Sequence, residues 1–273
     1  MPEAVPAAVR VGERFGHRSE QPVVIQETNN TVVWLRPHAL IAKVGKWEQS
    51  GETLVREHMV ASTLRQLGAP CAAPARGTSP TLDEKTGFTV SLWERLEHDP
   101  KRLPSAEVIG ASLLELHAGL ARYEGDLPSF EVSLDLARAT LADDERMIAL
   151  PEDDRTLLRT EYDRLRGEVG SHAYAEQPLH GEAHDRNVLA TPHGLRWIDL
   201  ESVCVGPLEW DLAFLPDDSA NVFPGVDGEL LQTLRTLNSA RVATWCWAGY
   251  EFDELRWHAE HHLEEVRRAR ERR

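Results

Sequence analysis

Hydrophobic and polar positions follow two different periods along this chain, and the change falls near residue 100. Before it, short apolar runs rich in β-branched residues stand between turn residues: Pro22–Gln26, Thr31–Leu35, Leu40–Val44 and Gly87–Trp93. Runs of that length and content predict strands, the first two joined through Glu27-Thr28-Asn29-Asn30. Within this strand-rich part, Gly51–Leu67 carries Val60, Leu64 and Leu67 on one face and meets Gly68 as a stop, which predicts a helix. After Pro104 the period is helical: Ile109, Leu113, Leu116 and Leu120 form one core-facing stripe. A helix with Ser133 as N-cap, another over Pro151–Val169, and two long ones over Glu229–Trp247 and Phe252–Arg273 are expected in turn. Residues 1–20, rich in Pro, Ala and charge and without a clear period, are expected to be a loose lead-in with at most one short strand.

One stretch breaks the helical pattern and carries chemistry. It reads His180-Gly181-Glu182-Ala183-His184-Asp185-Arg186-Asn187, and Ile198-Asp199-Leu200-Glu201 follows. Asp199 lies 12 positions after Asn187, room for one hairpin turning at Thr191-Pro192-His193-Gly194. An acid, four residues, then Asn, with a second acid in the next strand–turn, suits phosphoryl transfer. One carboxylate orients a hydroxyl, while Asn and Asp hold magnesium against nucleotide phosphates.

With Gly206-Pro207-Leu208-Glu209-Trp210-Asp211-Leu212-Ala213 added, these three ordered segments resemble the aminoglycoside phosphotransferases, antibiotic kinases with a protein-kinase-like fold. The resemblance runs from about Asn30 to about Pro216. It implies an α+β, two-lobed fold, with a β-rich small lobe over 1–93, a hinge over 94–98 and a mainly helical large lobe over 99–273. It implies ATP or GTP with Mg2+ as cofactors and a small-molecule hydroxyl as acceptor. By the same resemblance, Lys43 binds nucleotide phosphates and pairs with a helix glutamate, Glu57 being favoured over Glu52. Asn29, Asn30 and Thr31 stand where the phosphate loop belongs, and Glu94 and Leu96 where backbone groups meet the nucleobase. Asn187 and Asp199 are the metal ligands, Glu182 is the base, and His180, His184 and Asp211 brace the loop.

The departure from the family pattern is Glu182, where aspartate is usual. The extra methylene moves the carboxylate by roughly 1.5 Å, and a misplacement of about 1 Å can cost about 10²-fold in rate. Either the acceptor pocket is shifted to match, or turnover is slow, or transfer is lost and the protein only binds nucleotide or small molecule. A zinc enzyme is a third reading of the histidines, but the Pro-Cys-x-x-Cys of zinc deaminases and the His-Glu-x-x-His of metalloproteases are both missing.

Composition narrows the partners. A net charge of −15 opposes binding to a nucleic-acid backbone and favours a cationic small molecule. Asp143-Asp144-Glu145 and Glu152-Asp153-Asp154 are acidic clusters near helix ends that either solvate the surface or face such a substrate. No apolar run approaches the roughly 18 residues of a membrane span, and the N-terminus shows no signal pattern. Three scattered cysteines, Cys71, Cys204 and Cys246, read as free thiols in a reducing cytoplasm. A monomer or homodimer is expected. The closing arginine-rich run sits at a helix C-terminus among glutamates, where dipole and ion pairs account for it.

Overall fold

The computed structural model describes residues 3–28, 30–45, 50–102 and 104–273. Its strands are β1 (Gln21–Glu27), β2 (Asn30–Arg36), β3 (Leu40–Gly45), β4 (Thr81–Asp83), β5 (Phe88–Glu94), β6 (Glu176–Leu179), β7 (Val188–Thr191), β8 (Gly194–Trp197) and β9 (Cys204–Pro207). Its helices are α1 (Ala4–Arg14), α2 (Ser50–Gln66), α3 (Ala106–Leu120), α4 (Glu131–Ala142), α5 (Glu152–Val169), α6 (Leu208–Leu212), α7 (Gly228–Ala248) and α8 (Asp253–Glu271). They fall into two compact units, Met1–Gly125 with His184–Val203, and Asp126–Ala183 with Cys204–Arg273. The sequence-based lobe boundary near residue 94 differs from this division, which groups α3 and the β7–β8 hairpin with the N-terminal sheet.

The first unit is built on an antiparallel sheet of order β1-β2-β3-β5-β4. Alternation along the strands separates its faces. Val33, Leu35, Ala42, Val44, Val90 and Leu92 point one way and are buried. Val32, Trp34, Ile41, Lys43, Ser91 and Trp93 share the other face through the β2–β3 and β3–β5 registers.

The apolar face is covered by α1, where the sequence pattern had suggested a loose lead-in. Ala4, Ala7, Ala8 and Val11 are fully buried, a helical stripe at i, i+3, i+4 and i+7. Its small side chains let the helix lie close to the sheet. Pro6 is tolerated because it falls in the first turn, where backbone N–H groups have no helical partner. Arg10 fastens the helix to β4, donating Nε–H to Asp83 Oδ1 (2.9 Å) and Nη2–H to Oδ2 (2.7 Å).

The β7–β8 hairpin turns where the sequence placed it. Fully buried Trp197 anchors it: its N–H donates to Pro70 O, its carbonyl accepts from Ala72 N–H, and its indole donates to Ser112 on α3.

The second unit packs α4, α5, α7 and α8 around Leu134, Leu158, Tyr162, Leu165, Leu234, Leu237, Leu263 and Val266, with Trp210 and the short β6–β9 ladder against them. One expectation needs correcting. Helix α4 begins at Glu131, and Ser133 lies inside it, its hydroxyl donating back to Phe130 O rather than capping. His262 is half-buried on α8, and burial together with His261, His258 and Arg241 pushes it down to about 4. The acidic clusters meet arginines of their own unit: Asp144 holds Arg155 and Arg159, and Asp154 holds Arg267.

The Arg10–Asp83 pair yields a test. The Arg10 hydrogen bonds, and those from Thr86, hold the buried Asp83 carboxyl down at about 2 against the cost of burial. A carboxyl depressed on folding stabilises the fold above its unfolded value and loses that contribution as pH falls towards its folded value. Asp83→Asn is therefore expected to lower unfolding free energy by about 2 kcal/mol at pH 7. The gap to the parent should shrink between about pH 4 and pH 2, read from urea melts across that range.

Candidate active site

Lys43 stands on the polar face of β3 and is nine-tenths buried. An ammonium desolvated to that degree persists only among opposite charges. Glu57 comes from α2, with Oε1 3.0 Å and Oε2 3.1 Å from Nζ, and is itself buried; the competing Glu52 is exposed. Asp199 Oδ1 lies 2.5 Å from Nζ, and Glu201 completes the ring with a contact of its own. Burial works against the Lys43 charge, but Glu57, Asp199 and Glu201 together raise it well above the ordinary lysine value. Burial, with repulsion from Glu201 and Asp199, pushes Glu57 up to about 8 against the pull of Lys43.

Carboxylate oxygens of Glu57, Asp199 and Glu201 lie within 4.8 Å of one another. They carry more negative charge than one ammonium neutralises. Hard oxygen donors in excess of the local cation suit a magnesium-like ion and not a thiophilic one.

The hairpin delivers two of the predicted residues here. Ile198 N–H donates to Asn187 O at 2.9 Å, so Asn187 lies across the ladder one residue from Asp199. Asp199 then adopts φ +62 and ψ +54, the one non-glycine left-handed residue among those described. That conformation costs about 1–2 kcal/mol for most residues, less for aspartate. It ends β8 abruptly and is held by the contact with Lys43.

Glu201, quoted in the motif but given no role there, is a residue that sequence reasoning missed. Its Oε1 accepts from Asn30 Nδ2 at 2.5 Å, and its carbonyl accepts from Arg56. The signal was present in the motif itself, where an acid stands two places after Asp199.

Asn30 thus faces the cluster. Thr31 points to the opposite side of β2, in register with Val44, and Asn29 lies outside the described residues. Glu94 spends its N–H on Ala73 O and its carboxylate on Arg65 (2.8 Å). Leu96 is half-buried, and its carbonyl meets His98. His184 caps the single 3-10 turn before β7, its carbonyl accepting from Asn187 N–H.

Glu182 belongs to the second unit. Fully buried Asp211 accepts from His180 N–H at 2.8 Å and Gly181 N–H at 2.7 Å, clamping the backbone before it. Gly181 takes φ +86, which a side chain would resist. Glu182 N–H meets His180 Nδ1 at 3.3 Å, and its carboxylate accepts from Arg241 Nη2 at 3.1 Å.

An N-terminal five-stranded antiparallel sheet, a strand lysine paired with a helix glutamate, and a mainly helical C-terminal part define a kinase-like α+β fold. The family profile described as "Phosphotransferase enzyme family" (APH) matches residues 23–265, and the chain belongs to that family of small-molecule kinases. No curated protein sequence matches the chain.

Solved structures similar to it include a microcompartment-associated aminopropanol kinase (TM-score 0.71, 15% identity, 94% of each chain covered). An aminoglycoside phosphotransferase with GDP and kanamycin is similar too (0.70, 14%, 93% of this chain and 96% of that one). So is an amicoumacin kinase with AMP-PNP and Ca2+ (0.67, 15%, 94% and 92%).

The carboxylate ring has a pH signature. A carboxyl raised on folding binds its proton more tightly in the folded state, so its contribution to stability falls as pH rises from its unfolded value to its folded one. Glu57→Gln cannot ionise. Relative to the parent, this variant should gain stability between about pH 4.5 and pH 8, read from guanidinium melts in EDTA. A gap that moves the other way would mean that Lys43 outweighs the neighbouring carboxylates.

Proposed function

We propose that this protein transfers the γ-phosphoryl group of ATP or GTP to a hydroxyl of a small, amine-bearing molecule. The observation that carries the reading is Lys43 held by Glu57 beside Asp199 and Glu201, a cation ringed by hard oxygen donors. Lys43 contacts nucleotide phosphates, Asn30 borders them, and Glu94 and Leu96 border the nucleobase. Asp199 and Asn187 would hold Mg2+, with Glu201 as a further donor. When bound, the ion would neutralise charge on the β- and γ-phosphates.

Glu182 orients the acceptor hydroxyl and takes its proton. The acceptor oxygen forms a bond to the γ-phosphorus as the bond to the β-phosphate oxygen breaks, and the nucleoside diphosphate leaves. Asp211, His180 and His184 brace the segments on either side. Amine-bearing acceptors are supported by the net charge of −15 and by the kanamycin, amicoumacin and aminopropanol of the structural neighbours' names. An antibiotic acceptor would make this a resistance activity. The setting is a cytoplasmic monomer or homodimer: the three cysteines are free and buried, and no described helix is long and apolar enough to cross a membrane.

A second reading, binding without transfer, is favoured by one observation: the Glu182 carboxylate is engaged by Arg241. A screen of nucleotide consumption across aminoglycosides, amino sugars and choline-like alcohols separates the two. On the transferase reading, Asp199→Ala abolishes Mg2+-dependent transfer while leaving the circular dichroism spectrum unchanged. Undiminished turnover would remove the metal assignment. Glu182→Gln is expected to lower kcat by about 10²-fold, the scale of general-base effects. An unchanged rate would make Glu182 structural.

A further inference from the structure

We infer that Arg241 is the positioning residue of Glu182, holding a carboxylate one methylene longer than the family's usual aspartate at the point where the acceptor oxygen arrives. The inference rests on the phosphotransferase reading and deepens it. Arg241 sits on α7 with its side chain 7% exposed. Trp210 and Phe214 flank its guanidinium, 5.5 and 5.4 Å from the ring centroids. Its Nε–H donates to Asn238 Oδ1 at 3.2 Å and its Nη2–H to Glu182 Oε1 at 3.1 Å. A guanidinium buried so far needs a carboxylate close by, and Glu182 is that carboxylate.

The geometry ties Glu182 at both ends. Asp211 fixes the backbone N–H groups of His180 and Gly181, while Arg241 fixes the carboxylate. Glutamate has one more rotatable bond than aspartate and so one more freedom to lose before it can present an oxygen in a fixed direction. The Nη2–H bond to Oε1, made by a guanidinium itself held by Asn238, Trp210 and Phe214, restrains that freedom. It donates only and cannot itself take the acceptor proton, so it acts through Glu182. Nearby His262 is pushed well below neutral pH by burial and its neighbours, and it adds no charge beside the pair at pH 7. An aspartate at position 182 would stop about 1.5 Å short of Arg241, outside hydrogen-bond reach. Glu182 and Arg241 therefore form a matched pair.

The test is steady-state MgATP hydrolysis by the full chain with water as the acceptor probe, alongside thermal stabilisation by MgATP. Arg241→Ala is expected to lower kcat about 10-fold or more, with KM for ATP unchanged within about twofold. Arg241→Lys, which keeps a charge but not the fork, should recover part of the loss. Glu182→Asp, which leaves Arg241 in place and guards against a variant that fails to fold, should also lower kcat although it restores the family's usual residue. In a Glu182→Gln background, Arg241→Ala should add nothing to the loss. An unchanged kcat in Arg241→Ala, a raised kcat in Glu182→Asp, or a further loss in the double variant overturns the inference while leaving the phosphotransferase reading intact. A parent protein that neither hydrolyses MgATP nor is stabilised by it overturns both.

Discussion

One buried ammonium organises the first unit. Lys43 is drawn out of water on an otherwise apolar strand, a placement costing several kcal/mol unless opposite charge meets it. Three separate segments supply that charge: α2 through Glu57, the end of β8 through Asp199, and the turn after it through Glu201. Each is costly in isolation, since Glu57 is buried and Asp199 carries a left-handed backbone. Together they hold helix, hairpin and sheet in register around one nitrogen. The same ring leaves negative charge over, which is the condition a divalent ion and a polyphosphate jointly satisfy. On the proposed reading, folding and nucleotide chemistry draw on a single set of contacts.

The second unit solves a different problem with similar means. Asp211 spends both oxygens on backbone N–H groups and so shapes the turn at Gly181, while Arg241 addresses the side chain that follows. Backbone and side chain are thus fixed by two residues from later helices. Placement by a buried carboxylate and a buried guanidinium resists drift better than a solvated loop would, because withdrawing either partner strands the other's hydrogen bonds out of water.

Elements with a strong period were legible before any coordinates. The stripe Ile109, Leu113, Leu116 and Leu120 is buried as its spacing required, and the hairpin turn at 191–194 follows from proline and glycine between apolar runs. The Lys43–Glu57 contact was visible only through family resemblance, because 14 residues of separation say nothing about distance in space. What stayed hidden has physical reasons. Helix α1 repeats at i, i+3, i+4 and i+7, but mainly through alanines and across Pro6, so the run reads as irregular. Ser133 looks like a cap, yet its hydroxyl bonds inward because Phe130 already turns the chain into α4. Arg241 lies 59 residues after Glu182 on a helix whose buried side is mostly apolar, and an arginine there reads as surface until its surroundings are known.

The acidity of the chain carries less information about the acceptor than its size suggests. Asp144 and Asp154 are bound to Arg155, Arg159 and Arg267, and Glu161 is bound to Arg164 and Arg273. Much of the charge is thus spent within one unit on holding helices together, and exposed pairs of this kind contribute little individually. The electrostatics that an acceptor meets are set by the groups beside the reacting oxygen. On the proposed reading, those are Glu182 and, 3.1 Å beyond it, the guanidinium of Arg241. A cation that close weakens the attraction of Glu182 for an ammonium group next to the reacting hydroxyl.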